Sequence, residues 1–316
     1  MYTSFNQYMK PVPKDEIAHL NDRQMINSRL YPLSPIGITT LYAISLYAAA
    51  IGSGPSEYSL FPTIIENSWV IKRMGVHLVD LLNTGGSARL DKGLFILLYL
   101  ADGMSDTTLT LDVMDTVLKG YTGSGISVPV SRFLEMVATM ASSCPDAGVR
   151  FYSYRLIQSV LRLSEDDVRV FVLTELLERC PYTSMHTAAI GLVKDQIHRS
   201  FEEYEETKKA SVFTSPLVIK KFFPIIFKYK SEWKEDKAFW EDYNYIMQAL
   251  NLYFYLLIRD KSTNLTTVLA IKDKITVDYI KPIKSRVENA MKTEKTPLNM
   301  MQLEMMLEVI DKINNQ

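Results

Sequence analysis

Residues 144–157 read CPDAGVRFYSYRLI and residues 180–193 read CPYTSMHTAAIGLV, and the second string repeats the first one period later (180 − 144 = 36). Laid together, Val149 falls on Met185, Tyr154 on Ile190, Leu156 on Leu192 and Ile157 on Val193. The apolar positions recur at three and four, the spacing of one helix face. A single helix of this kind cannot bury its face alone, and periods of roughly 34 to 47 residues with two helices per unit mark stacked helical repeats. Between the copies, Asp166-Asp167-Val168-Arg169 echoes Asp146-Ala147-Gly148-Val149-Arg150. An acid at that place suits the positive end of a helix dipole. Ser164 with Asp167 three residues on predicts a capped helix start.

Outward from this pair the same spacing runs along the chain, and strict apolar/polar alternation bounded by turn residues does not recur. The prediction is an all-α fold, a HEAT-like helical-repeat (α-solenoid) array, with a compact helical bundle as the alternative. Predicted helices run from Ile36–Ile51 to Leu298–Ile313, and include Ala147–Leu163, Glu165–Arg179, Ser184–Glu206, Pro216–Lys228, Lys237–Ile258, Thr266–Lys272 and Val277–Met291. Cys144-Pro145, Cys180-Pro181 and Ser215-Pro216 punctuate them. Val149, Leu156, Leu161, Leu173, Leu177 and Leu192 are the predicted core of the repeats. Residues 1–33, with Pro11, Pro13 and Pro32, read as a loosely packed lead-in to a repeat domain over 34–316. The charge run of Glu202, Glu203, Glu205, Glu206, Lys208 and Lys209 suggests a sub-boundary near 200–215.

Composition narrows the function. Of 316 residues, 47% are hydrophobic and 22% charged, and the net charge of −1 gives no global attraction to nucleic acid or an anionic membrane. The longest apolar stretch, Ile36–Ile51, falls short of the ~20 residues of a membrane span and carries Thr39, Thr40 and Ser45. Two cysteines make no disulfide framework and no leader pattern follows Met1, so a cytoplasmic location, extending to the nucleus, is expected. Cys144 and Cys180 each end a helix, where the dipole disfavours a thiolate, and both are expected to be reduced and unbonded.

Catalytic and cofactor signatures are missing. His19, His77, His186 and His198 are scattered without a zinc-ligand spacing. Gly120–Gly125 lacks the Lys-Ser/Thr of a phosphate loop, and Gly52-Ser53-Gly54 lacks the strand–helix setting of a dinucleotide site. No metal site, no cofactor and no enzymatic activity are expected. The stretch that does suggest recognition interleaves basic and aromatic residues: Lys220, Lys221, Phe223, Lys228, Lys230, Trp233 and, further on, Trp240. Such a pattern suits a partner-binding surface or a nucleic-acid groove. It equally suits an amphipathic helix whose lysines snorkel off a packed face.

Arg150, Leu156, Leu161 and Leu163, Ser164–Arg169, Leu176-Leu177, Cys180-Pro181-Tyr182, Ala188-Ala189 and Leu192–Ile197 together resemble the family of fungal Yap-binding proteins and glomulin/Alf-type proteins. Tyr31–Gly37, Phe213–Pro216 and Leu250–Tyr255 extend the likeness. The resemblance implies a non-enzymatic helical-repeat adaptor. Its fungal members bind a basic-zipper transcription factor of the oxidative-stress response or act at the kinetochore, and its animal member caps the RING subunit of cullin-type ubiquitin ligases. Members are usually longer, so part of an array is expected here. No short family motif transfers binding residues by position. Oxidative-stress signalling through a transcription factor is therefore the expected role, with a kinetochore or ubiquitin-ligase role as its alternative and nucleic-acid binding as the alternative of another class.

Overall fold

A computed structural model describes residues 67–83, 87–104, 109–119 and 128–316. The lead-in 1–33, the helix Ile36–Ile51 and the glycine loops at 52–54 and 120–125 lie outside the described residues. Among the described residues there are α-helices, short 3-10 turns and one π turn, and no strand. A lone parallel bridge joins Leu109 to Ser164, with Leu109 N–H donating to the Leu163 carbonyl at 2.8 Å. The helices are α1 (Asn67–Asn83), α2 (Ser87–Asp102), α3 (Leu111–Lys119), α4 (Val130–Ser143), α5 (Ala147–Leu163), α6 (Asp166–Glu178), α7 (Thr183–Thr207) and α8 (Pro216–Ile226). They continue with α9 (Asp236–Glu241), α10 (Tyr243–Arg259), α11 (Lys272–Ile275), α12 (Lys281–Thr293) and α13 (Pro297–Asn314).

The chain forms two compact units. One takes residues up to 105 together with 112–133, and the other takes 106–111 and 134–316. In the first, α1 packs on α2, and Leu78, Val79 and Leu82 of α1 and Leu94, Leu97 and Leu100 of α2 are buried. Gly93 lies at that contact: a Cβ there would come within 2.9 Å of Leu82.

The second unit carries the repeat pair. Residues 36 apart are matched in burial: Val149 and Met185, Leu156 and Leu192, Ile157 and Val193, Leu161 and Ile197 are all buried. The likeness extends to the polar corners. Arg150 donates to the Cys144 carbonyl at 2.6 Å, and His186, one period on, sits 2.6 Å from the Cys180 carbonyl. In both copies a polar side chain six residues ahead satisfies the backbone of the Cys-Pro corner, where the preceding helix leaves carbonyls unpaired. Arg199 on α7 reaches the Arg162 carbonyl at the end of α5, and α6 packs on α7 and touches α5. The predicted core of Val149, Leu156, Leu161, Leu173, Leu177 and Leu192 is buried throughout. Further along, α10 packs on α7 and α13 packs on α10, an all-α helical-repeat arrangement.

Several local expectations change. Asp146 does cap α5, accepting from Val149 N–H at 3.0 Å. Ser164 caps nothing: its hydroxyl turns back to the Val160 carbonyl, and Glu165 holds the N-cap position of α6 without a side-chain bond. A serine in the last turn has the i−4 carbonyl as a competing acceptor. The predicted helix 237–258 breaks at Asp242 into α9 and α10. The predicted helix from Val277 opens instead with α11 and a π turn at Thr276–Ile280 that buries Tyr279 and Ile280. Pro282 has no N–H to give Asp278, which favours the wider turn there. Within the segment 200–215, Ser211 Oγ and Val212 N–H donate to Asp166 on α6, both at 2.8 Å, and the segment lies in the second unit.

Candidate functional site

α8 has Ser215 as its N-cap and Pro216 at its first position, where the missing N–H costs nothing. Its face of Val218, Ile219, Phe222, Phe223 and Ile226 is buried. Spacings of three, four and seven put Leu217, Lys220, Lys221 and Pro224 on the opposite face, all exposed. Lys228, just past the helix end, is exposed as well. Between Glu206 and Glu232 the chain holds six lysines and no acidic residue. Among the described residues, Lys209, Lys220, Lys221 and Lys228 have no carboxylate partner; the ion pairs formed nearby involve other groups. Lys208 lies over the Tyr204 ring in the left-handed conformation that ends α7.

The seven residues singled out in the sequence therefore separate. Lys220 and Lys221 lie on the exposed face of α8, and Lys228, just past its end, is exposed as well. Phe223 and Trp233 belong to the core, Trp233 at 1% exposure. Phe223 packs on Phe227 and Tyr253, and Trp233 meets Tyr229, Tyr245 and Tyr279. Trp240 is half-buried between Phe239 and Tyr243. Lys230 is bound within the fold: its Nζ lies 2.7 Å from Asp242 Oδ2, above the rings of Trp233 and Tyr245. The same carboxylate oxygen accepts from Trp233 Nε1 at 2.8 Å. The aromatic members of the pattern are thus spent on packing, because each alternates with a lysine at helix spacing and only one of the two faces can meet water.

Burial governs the titrating groups around this core. It raises Tyr253 to about 12, with Asp273 adding to the shift, and it raises Tyr245 and Tyr279 further. Hydroxyls so placed stay neutral at any physiological pH. Burial also pushes the Cys180 thiol up, opposed by a backbone hydrogen bond from Tyr182. His77 is pushed down by burial, against the pull of Asp80. His198, exposed, sits 2.9 Å from the Tyr255 hydroxyl and pairs with Glu202 at 3.3 Å. Among the described residues no group of His, Cys, Asp and Glu could hold a metal ion, and no helix is long and apolar enough to cross a membrane. Cys144 and Cys180 are both free.

Sequence reasoning missed Asp242, which joins Lys230 to Trp233, and it missed Leu217 and Pro224 as the apolar members of the lysine face. Helical register from Pro216 would have found the latter two. No local signal marks Asp242, whose partners lie twelve and nine residues back.

No individually curated protein matches the chain. A family model described as YAP/Alf4/glomulin matches residues 124–312, a span that takes in the Cys-Pro repeat pair, the aromatic core and the lysine face. That span is more than half of the sequence, its fold is the all-α repeat the resemblance implies, and the chain belongs to the YAP/Alf4/glomulin family.

Proposed function

We propose that this protein is a non-enzymatic adaptor that holds a partner protein on the solvent face of α8, through Leu217, Lys220, Lys221, Pro224 and Lys228. The observation that carries the reading is that Lys220, Lys221 and Lys228, in a stretch free of acidic residues, have no carboxylate partner among the described residues and stand beside the exposed Leu217 and Pro224. A partner segment that supplies carboxylates and a small apolar surface would complement it in charge and in shape. Nucleic acid is the weaker fit, since the aromatic rings that would stack on bases are buried in the core. Family membership supports an adaptor role. It brings a basic-zipper stress-response factor, a kinetochore component and a RING subunit as candidate partners, to be met in the cytoplasm or the nucleus. The lysine face supplies a criterion for choosing among them, namely an acidic contact segment.

Affinity purification with mass spectrometry, run in parallel on the wild type and on Lys220→Glu/Lys221→Glu/Lys228→Glu, tests this. The expected result is a partner lost by the triple variant at unchanged helical content. Its measured affinity for the wild type should fall with added salt as the charges are screened. A partner bound equally by both proteins would place recognition elsewhere, most directly on the α5–α7 repeats.

A further inference from the structure

α13 packs on α10 and α12 through Leu303, Met306, Ile310 and Ile313, all buried. Its side away from that core is not polar. Leu298 is 59% exposed, Met301 50% and Met305 49%, and their spacing of three and four places them in one row. Single exposed apolar residues are ordinary. A row of three large ones along a helix is the kind of patch that marks an interface, and methionine suits it because its side chain adapts to the surface opposite.

The charges at the ends of the row say what covers it. Lys295, exposed just before α13, stands at one end; its backbone N–H donates to Glu294, and its ammonium has no carboxylate partner among the described residues. Glu308 stands at the other, one turn past Met305, its side chain exposed and paired only along its own helix, to Lys312 at 2.7 Å. A surface positive at one end and negative at the other is complementary to itself under a two-fold rotation. We infer that α13 is a self-association surface, on which a second copy of this chain docks antiparallel. Leu298 of each copy then lies over Met305 of the other, Met301 meets Met301 near the axis, and Lys295 reaches Glu308.

One helix row on each side is small beside the ~1,600 Å² of a standard interface, so the dimer forms at micromolar concentrations or above. Sedimentation of the full chain from about 1 to 200 μM reads it directly. The expected result is a monomer–dimer equilibrium whose dissociation constant rises at least about tenfold in Met301→Glu/Met305→Glu with an unchanged thermal midpoint. Lys295→Glu alone weakens the dimer, and Lys295→Glu combined with Glu308→Lys restores it. A chain that stays monomeric throughout the range overturns the inference, whether the row is bare or covered by something other than a second copy. A dimer indifferent to both the methionine and the charge variants overturns the assignment to α13.

Discussion

Replacing Asp242 by alanine separates folding from binding in the aromatic core. Asp242 Oδ2 accepts from Trp233 Nε1 at 2.8 Å and from Lys230 Nζ at 2.7 Å. Trp233 is buried, so its indole N–H would lose its partner at a cost of about 1–3 kcal/mol. The Lys230 side chain is 41% exposed, so its ion pair contributes at most about 1 kcal/mol after solvent screening. Asp242→Ala should therefore destabilise the second unit by about 1–4 kcal/mol. Lys230→Ala, which leaves the indole bond intact, should cost about 1 kcal/mol or less. Urea titration followed by circular dichroism and by Trp233 emission measures both. Equal losses for the two variants, or a loss below about 1 kcal/mol for Asp242→Ala, would refute the indole bond as the dominant contribution.

Leu177→Ala on α6 removes a side chain that is 5% exposed in the repeat core, and should cost about 2–5 kcal/mol by the same titration. Glu294 is held down to about 2 by the Thr296 backbone N–H first and then by Asn299, against an ordinary value of 4.5. Its folded value is depressed, so its contribution to stability is complete above about pH 4.5 and is lost as pH falls toward 2. An NMR titration of its carboxyl should find it ionised at pH 3.5, and Glu294→Gln should flatten that part of the acid-unfolding profile. Alkylation of denatured, unreduced protein should label both Cys144 and Cys180. In the folded protein Cys180 should react more slowly than an ordinary thiol, since burial lowers its thiolate fraction.

The period of 36 and the apolar spacing were legible in the sequence because helix register is a local property. Positions three and four apart share a face whatever lies opposite, and a repeated corner such as Cys144-Pro145 and Cys180-Pro181 repeats its backbone needs. Ala147–Leu163 was placed to the residue for that reason, with an acid before it to cap it. Tertiary structure alone decided which of the interleaved side chains would be hidden. Phe223 and Trp233 face the core while Lys220 and Lys221 face water. Lys230, of the same sequence pattern, is drawn back by Asp242 across a helix break that propensity does not foresee. Asp166 likewise binds a residue 45 positions away, just past the charge run. Charge and aromatic content could say that a surface or a core was there; which of the two each residue joined depended on partners distant in the chain. Those partners are set by packing, whose energy comes from the whole neighbourhood rather than from local sequence.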